Sequence, residues 1–396
     1  MKLRPGSFAL TALLALFTTI GPLSIDLYIP ALPDIARSLA ASDAEVQLTI
    51  SIYIVGFATG QLVYGPLSDR YGRRPVMIAA LAVFCVAALM CAAAPSIEML
   101  LVARFVQGLG ASGAIVLARA IIRDLYEGPR AARALSTMAM IMGLAPIVAP
   151  LIGGGLQTFS GWRAEFILIF AAGAIGLTLA ALLLPETRHP GAAPQSFADV
   201  LASFGVVARH HGFVVHIAMV SLSFAGLFAW ISGSSFVLQN LYGLSPLSYG
   251  VAFATSASGF IIGTSIAAGI VGRIGIDRTI GFGVMALAAA GLALVGSMLL
   301  LPHTGPSLAV PVALYVAGMG LVMPQAFAAS LQPFPQRAGA ASSLGGVIQQ
   351  SAAAIVGAAV GHAIGTTAWP IVLPMAIAGW LTLAVWYFSR GLRDAN

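Results

Sequence analysis

The chain has 396 residues, of which 59% are apolar and only 8% are charged, and its mean hydropathy is +0.96. Because ordinary soluble domains carry about 25% charged residues, this composition excludes a soluble enzyme and predicts a membrane protein. The net charge of +6 does not indicate nucleic-acid binding, since the arginines are scattered in short loops between apolar runs.

Apolar runs long enough to cross a bilayer, which takes about 20 residues in a helix, recur along the whole chain. There are twelve of them, at residues 8–36, 46–65, 76–94, 98–120, 132–157, 163–184, 213–238, 247–271, 279–301, 307–331, 340–364 and 367–389. Runs of this length without alternating polar and apolar residues indicate helices and not strands. We therefore predict an all-α membrane protein with twelve transmembrane helices.

The basic residues lie mostly on one side of these predicted spans. If the N-terminus is inside, the inner loops and tails hold fifteen of the 19 Lys and Arg residues, and the outer loops hold only Arg37 and Arg163. Cytoplasmic loops carry the excess of Lys and Arg in membrane proteins. We therefore predict that both termini are cytoplasmic.

The longest polar segment, residues 185–212, lies near the middle of the chain. A shift of 203 residues relates glycines on its two sides, pairing Gly56 with Gly259, Gly60 with Gly263 and Gly72 with Gly275. Duplicated halves are the usual plan of secondary transporters. We predict one six-helix half at 1–184, a cytoplasmic linker at 185–212 and a second six-helix half at 213–396, related by pseudo-symmetry.

Several kinds of site lack the residues that they need. Lys2 is the only lysine, so the chain has no Walker A loop and is not a self-contained ATP-driven pump. Cys85 and Cys91 form no CxxC pair, and no HExxH pattern occurs. We therefore expect neither a metal site nor a cofactor.

Short motifs in the first half resemble those of the major facilitator superfamily. They are SIDLYIPALPDI at 24–35, GPLSDRYGRRP at 65–75, RFVQGLGAS at 104–112, RDLY at 123–126, APLIGG at 149–154 and PETR at 185–188. The string at 65–75 resembles the superfamily's loop signature. The set as a whole resembles the bicyclomycin/chloramphenicol-resistance branch of the drug:proton antiporters, whereas the second half matches mainly in hydropathy.

The resemblance implies a monomer in a bacterial inner membrane that exports small amphipathic compounds, antibiotics included, in exchange for protons. Two rocking halves would expose a central cavity to each side in turn. The sequence leaves two alternatives open. One is a facilitator that exports a specific metabolite such as an amino acid or sugar, and the other is a membrane-bound enzyme or receptor.

The loop at 65–75 combines two glycines with a set of charged residues. Gly65 and Gly72 are expected to allow close helix approach and a tight turn. The charged residues are expected to form breakable contacts that gate the cytoplasmic side; they are Asp69, Arg70, Arg73 and Arg74, joined by Arg119, Arg123 and Asp124 from the end of the fourth run. Simple anchoring of the loop on the inner side is the alternative interpretation.

Asp26 and Arg104 are charged residues inside apolar runs. Counted along ideal helices, they lie about 16 Å and 14 Å below the outer surface. An ionised aspartate near the bilayer centre costs about 2.5–3.5 kcal/mol on insertion scales, so Asp26 is expected to bind a proton or a cationic substrate. The resemblance implies that Arg104 takes part in proton transfer. The sequence also allows Asp26 to cap a shorter helix, and Arg104 to bind carbonyl groups in a static structural role.

Three further sets of residues complete the candidate site. The fifth run resembles the antiporter motif in Pro146, Pro150, Gly153 and Gly154, which predict a kinked and closely packed helix. The alternative interpretation is that these residues serve ordinary helix packing. Aromatic faces suit lipophilic or cationic ligands, so the candidates for lining a substrate cavity are Tyr28, Tyr53, Phe57, Phe224, Trp230, Phe236 and Gln350. Glu165, near the start of the sixth run, is expected at the outer rim.

Overall fold

The structure is a computed structural model that describes residues 3, 7–126, 128–188, 197–334 and 337–393. Within these ranges the chain is helical and contains no strand. The helices are α1 (Phe8–Asp26), α2 (Leu32–Ser38), α3 (Asp43–Tyr71), α4 (Arg73–Ala92), α5 (Ile97–Leu125), α6 (Gly128–Ser160), α7 (Trp162–Leu183), α8 (Phe197–Ala208), α9 (His211–Phe236), α10 (Pro246–Ile274), α11 (Ile276–Leu300), α12 (Gly305–Leu331), α13 (Ala338–Ala363), α14 (Trp369–Phe388) and α15 (Arg390–Arg393).

Twelve helical segments are long and apolar enough to cross a membrane, which confirms the predicted number. The first of them, Phe8–Ser38, combines α1 and α2, and the seventh, His211–Leu241, combines α9 with a π-helical turn. Many large apolar side chains on these segments are exposed, such as Ile175 and Leu299. Exposed apolar surface of this extent is stable against lipid and not against water, so the chain is a multi-pass membrane protein.

Several helices extend beyond the apolar runs that predicted them. The second run covers 46–65, but α3 continues to Tyr71 and carries Asp69 and Arg70 in its last turns. Hydropathy detects only the part of a helix that lies in lipid, whereas backbone hydrogen bonds continue through charged residues.

The described chain divides into two compact units. The first comprises Met1–Ala41 and Ile52–Phe197, and the second comprises Ser42–Ser51 and Ala198–Asn396. In the first unit α4 packs against α5 and α7, and α1 packs against α6; in the second, α11 packs against α12 and α14, and α9 packs against α13. The same packing pattern therefore occurs in both units. Residues 189–196 of the predicted 185–212 linker lie outside the described residues.

Glycines related by the 203-residue shift make equivalent contacts in the two units. A side chain at Gly56 would collide with the backbone of α5 at Phe105, and one at Gly60 would collide with the Ser112 side chain and the Leu109 backbone of the same helix. A side chain at Gly259 or Gly263 would collide in the same way with the backbone of α12, at Ala313 and Ala317. In lipid, helices associate through such close backbone packing and not through the hydrophobic effect. The internal repeat in the sequence thus corresponds to a repeated helix contact.

Candidate functional site

The first transmembrane segment is interrupted immediately after Asp26. α1 ends at Asp26, a short 3-10 turn covers Ile29–Ala31, and α2 follows. Pro30 explains the interruption, because it lacks the N–H that would bond to the carbonyl of Asp26 four residues earlier, and its ring clashes with that carbonyl. On α6, a side chain at Gly153 would collide with the backbone carbonyl of Leu27. The interruption is therefore packed directly against α6, as the small residues of the helix-five motif predicted.

Arg104 is completely buried next to this interruption and is surrounded by aromatic rings. Its guanidinium carbon lies 4.3 Å from the ring centroids of both Tyr28 and Tyr53, and 5.8 Å from that of Phe166. We call these three rings the Arg104 cage. A desolvated cation–π contact stabilises by about 2 kcal/mol, so the rings offset part of the cost of burying the charge.

The polar contacts of Arg104 are directed at the end of α1. Its Nη1 donates to the carbonyl oxygen of Ser24 at 3.0 Å and to Oε1 of Gln107 at 2.6 Å. The last four carbonyls of a helix lack intrahelical partners and form the negative end of the helix dipole. Arg104 therefore stabilises the end of α1 two residues before Asp26. Its Nε and Nη2 have no hydrogen-bond partner among the described residues.

Asp26 is buried, with 5% of its surface exposed, and it forms no ion pair with the residues that the structure describes. Arg104 reaches the same helix end but binds the Ser24 carbonyl and not this carboxyl. An ionised carboxylate without a paired cation is costly in a buried site. Binding a proton or a cationic group removes that cost, so the geometry equips Asp26 for either.

The predicted substrate-cavity residues fall into separate groups. Tyr28 and Tyr53 belong to the Arg104 cage, and each has a ring face covered by the guanidinium. Phe57 stacks on Tyr53 with 6.3 Å between ring centroids. The remaining candidates lie in the second unit, where Trp230 and Phe236 are buried and Phe224 and Gln350 are partly exposed. For Tyr28 and Tyr53, contact with Arg104 is the role that the structure gives.

Arg73 is the centre of a charged cluster at the end of α3. Its Nε donates to Oδ2 of Asp124 at 2.9 Å, and its Nη1 donates to Oδ1 of Asp69 and, at 2.6 Å, to Oγ of Ser68. Thr187 donates a further hydrogen bond to Asp124 at 3.2 Å. We call these five residues the Arg73 cluster. It joins the end of α3, the start of α4 and the end of α5. Asp69 and Asp124 from the end of the fourth run therefore belong to one charged cluster, as predicted, and Arg73 connects them.

The other basic residues near this loop have different partners. Arg74 donates to the Ala181 carbonyl at 2.6 Å, and the Arg70 carbonyl accepts a hydrogen bond from Arg188 at 3.0 Å. Arg119 and Arg123, which were expected to join the cluster, form no ion pair within the described ranges. The Asp69 and Asp124 carboxylates are both bound by Arg73, which lies between them.

The two glycines of the loop differ from each other. Gly72 has φ of +101° and ψ of 154° and forms the tight turn between α3 and α4, as predicted. A side chain at Gly65 would meet no atom within 4 Å, so the prediction that Gly65 allows a close helix approach is wrong. The small size of Gly65 has no structural explanation here.

Glu186 supplies a contact that the sequence did not predict. Its carboxylate accepts hydrogen bonds from the backbone N–H groups of Arg73 and Arg74 at 2.9 and 3.1 Å, at the N-terminus of α4. It also accepts from the N–H groups of Thr187 and Arg188, both at 3.0 Å. A carboxylate at a helix N-terminus satisfies unpaired N–H groups and complements the helix dipole. The PETR string at 185–188 was the only signal, and it carried no indication of this partner.

These hydrogen bonds determine the ionisation of Glu186. Partial burial raises the pKa of its carboxyl, but the four backbone N–H groups lower it by more, so the pKa lies below its ordinary value. Glu186 is therefore ionised at neutral pH and holds the loop at 65–75 to the end of α7.

Glu165 is not at the outer rim as expected. It is completely buried, and both carboxylate oxygens lack hydrogen-bond partners among the described residues. Its position, four residues into α7, suggested exposure because depth was counted along one helix only. Burial is produced by neighbouring segments, which that count does not include.

Residues 14–358 match the family model described as Major Facilitator Superfamily. The bicyclomycin resistance protein homolog of Haemophilus influenzae is 28% identical, and the match covers 100% of both chains. Multidrug resistance protein D of Escherichia coli is 30% identical over 95% of this chain and 94% of that protein.

The fold is also found in solved structures. The crystal structure of a mutant of the nucleoside transporter NupG superposes with a TM-score of 0.76, covering 96% of this chain and 100% of that one. The sequences are 12% identical, so this likeness concerns the helical architecture and not the substrate.

Proposed function

The chain belongs to the Major Facilitator Superfamily, and on the premise that it is a transporter we propose that it exports small amphipathic compounds, antibiotics among them, in exchange for protons. Two relatives that match nearly its full length are named for bicyclomycin and multidrug resistance. The proposal includes a bacterial inner membrane, a monomer and cytoplasmic termini, the last supported by fifteen basic residues against two.

The observation that carries the coupling is the buried Asp26 carboxyl at the end of α1, which has no ion-pair partner among the described residues. One carboxylate cannot bind a proton and a cationic group with high affinity at the same time, because each of them neutralises the same negative charge. Competition between the two links the outward movement of a drug to the inward movement of a proton. Asp26 is therefore the proposed coupling residue.

Arg104 is the proposed partner that tunes Asp26 without pairing with it. Its charge lies at the same helix end, held there by the Ser24 carbonyl and the Arg104 cage. A positive charge nearby favours the ionised carboxylate. A small movement of α1 relative to α5 would change the distance between the Arg104 guanidinium and the Asp26 carboxyl. The affinity of Asp26 for a proton would change with it.

The Arg73 cluster, with Arg70, Arg74 and Arg123 around it, is the proposed gate on the cytoplasmic side. Its ion pairs join three helix ends within the first unit. Partly exposed ion pairs contribute about 0–1 kcal/mol each, so they can break and reform as the transporter alternates between its two open states. The helix-five motif, with Pro146, Pro150 and Gly154 beside Gly153, is proposed to let α6 follow α1 in that movement.

The experiment uses purified full-length protein in liposomes that enclose a pH-sensitive dye. Bicyclomycin, chloramphenicol and the lipophilic cation tetraphenylphosphonium are added in turn, and amino acids and sugars serve as the comparison set. We expect drug-dependent proton movement in the wild-type protein and in Asp43→Asn, a control that removes a partly exposed aspartate. Asp26→Asn should abolish that movement, because an amide cannot bind the proton.

Three results would count against the proposal. Drug flux that ignores a proton gradient removes the coupling. Retained coupling in Asp26→Asn assigns the proton to another residue. Proton movement with an amino acid or sugar and with none of the three drugs makes the protein a metabolite exporter.

A further inference from the structure

Glu165 is a second buried carboxyl in the first unit, and the proposed mechanism does not use it. It lies four residues from the start of α7 and has no exposed surface. Neither carboxylate oxygen has a hydrogen-bond partner among the described residues. An unpaired ionised carboxylate in such a place costs several kcal/mol, so its charge must be neutralised by something that binds there.

The second carboxyl of this region belongs to Asp34, on α2. Asp34 accepts a hydrogen bond from Nε2 of Gln157 at 2.8 Å and pairs with Arg37 at 3.3 Å. Gln157 lies on α6, which packs against α7, so Asp34 and Glu165 flank the same helix. Oε1 of Gln157 and Nε1 of Trp162 are also buried and without a partner within the described part of the chain. One donor therefore stands against three acceptor oxygens among these unpartnered atoms.

No basic side chain in the described chain supplies the missing charge. Towards this end of the surrounding segments, the titratable and charged residues are Asp26 on α1, Tyr28 just after it, Asp34 and Arg37 on α2, Cys91 on α4, Glu98 and Arg104 on α5, and Arg163 on α7 itself. Arg163 donates to the Ala94 carbonyl at 3.1 Å and lies over Trp162, and Arg104 is held at the end of α1. Arg37 is 70% exposed and bound to Asp34.

We infer that Glu165, together with Asp34, forms a second proton-binding site of this transporter. A hydronium ion breaks one of its O–H bonds and transfers the proton to one Glu165 carboxylate oxygen, which leaves a water molecule and a neutral carboxyl, so that one negative charge remains, on Asp34. The Asp34 side chain is 34% exposed and connects this region to solvent. Because like charges in one region repel each other, we expect Asp34 to strengthen proton binding at Glu165.

This inference goes beyond the proposed function, in which Asp26 alone exchanges the proton. It concerns an equilibrium and is tested without transport, so its failure would leave the role of Asp26 unaffected. Loss of drug-coupled proton movement in Asp26→Asn would likewise leave Glu165 untouched.

The test is an infrared pH titration of the purified full-length protein, which follows the C=O stretching band of protonated carboxyl groups. We expect that Glu165→Gln removes one component of this band at neutral pH. Glu98→Gln, which removes an exposed glutamate at the neighbouring end of α5, should leave the band unchanged. Asp34→Asn removes the repelling charge and keeps an acceptor for Gln157, so the Glu165 component should disappear at lower pH than in the wild-type protein.

Two results would overturn the inference. If Glu165→Gln leaves the band unchanged at every pH, Glu165 is ionised and holds no proton. If the Glu165 component titrates at the same pH in Asp34→Asn, Asp34 is not part of the site. The Asp34 variant changes a partly exposed residue and provides this test even if Glu165→Gln does not fold.

Discussion

Gly72→Ala tests whether the loop at 65–75 is built as the structure describes. The backbone of Gly72, with φ of +101° and ψ of 154°, lies in a region that is essentially restricted to glycine, and an alanine there costs about 1–3 kcal/mol. Its Cβ would also lie 2.7 Å from Oε2 of Glu186. The carboxylate must then move away from the Arg74 N–H. A hydrogen bond to a charged group stabilises by about 1.5–3 kcal/mol, and the exposure of Glu186 reduces this to about 1 kcal/mol.

Two other glycines provide matched controls for this variant. Gly275 forms the equivalent turn in the second unit, with φ of +85°, but its added Cβ would meet nothing within 4 Å. Gly275→Ala should therefore lower the free energy of unfolding by the backbone strain alone. Gly65 lies inside α3, where Gly→Ala improves helix propensity by up to about 1 kcal/mol. Thermal unfolding can be read with a thiol-reactive fluorophore, since Cys85 and Cys91 are both buried and free.

The expected order of stability is Gly65→Ala, then Gly275→Ala, then Gly72→Ala as the least stable. Equal losses for Gly72→Ala and Gly275→Ala would show that Glu186 does not restrict this position. No loss for either would refute the assignment of the two turns. In a Glu186→Ala background the difference between Gly72 and Gly275 should disappear, because the two groups are in direct contact.

Two other predictions follow from polar contacts in the first unit. Because the folded-state pKa of Glu186 is lowered, its contribution to stability is present above the unfolded-state value of about 4.3 and is lost as pH falls through the folded pKa. Thermal unfolding from pH 7 downward should thus show wild type more stable than Glu186→Gln at neutral pH and equal to it at low pH; a constant difference would contradict this. Arg104→Lys should destabilise the protein by about 1–3 kcal/mol, because an ammonium cannot stack flat against Tyr28 and Tyr53. Arg37→Lys, at an exposed ion pair, should change stability by less than about 1 kcal/mol. Equal effects of the two substitutions would refute the claim that the Arg104 cage stabilises the guanidinium.

The number of spans was predictable because the bilayer imposes a length and an apolar composition on each helix. The interruption after Asp26 was not predicted from hydropathy, since Pro30 and its neighbours are apolar and extend the run. The ends of the helices were also missed. α3 continues to Tyr71 through charged residues, and composition alone does not show where its backbone hydrogen bonds stop.

The sequence predicted that Asp26 and Arg104 lie at a similar position along their helices, but it did not predict which groups they contact. Counting residues along α1 and α5 brought Asp26 and Arg104 to a similar level. Whether they pair depends on helix rotation and side-chain conformation, and the structure directs Arg104 to the Ser24 carbonyl and two tyrosines. Phe166 and Glu165 adjoin this region through the packing of α7, a contact between segments distant in sequence that periodicity within one helix cannot reveal.

The second unit shows which of these charges the fold itself requires. Gly275 forms the same turn as Gly72, yet the positions equivalent to Asp69 and Arg73 are Gly272 and Ile276. The turn therefore forms without a charged residue at either of these two positions, so it does not require Asp69 and Arg73.

The same reasoning applies to Arg104. Gly56 packs on Phe105 and its repeat partner Gly259 packs on Ala313, so the residue equivalent to Arg104 is Val312, which is fully buried. An apolar residue completes this helix contact without the cost of burying a charge. The helix contact itself does not require a guanidinium at that depth, and this supports the role proposed for Arg104 beside Asp26.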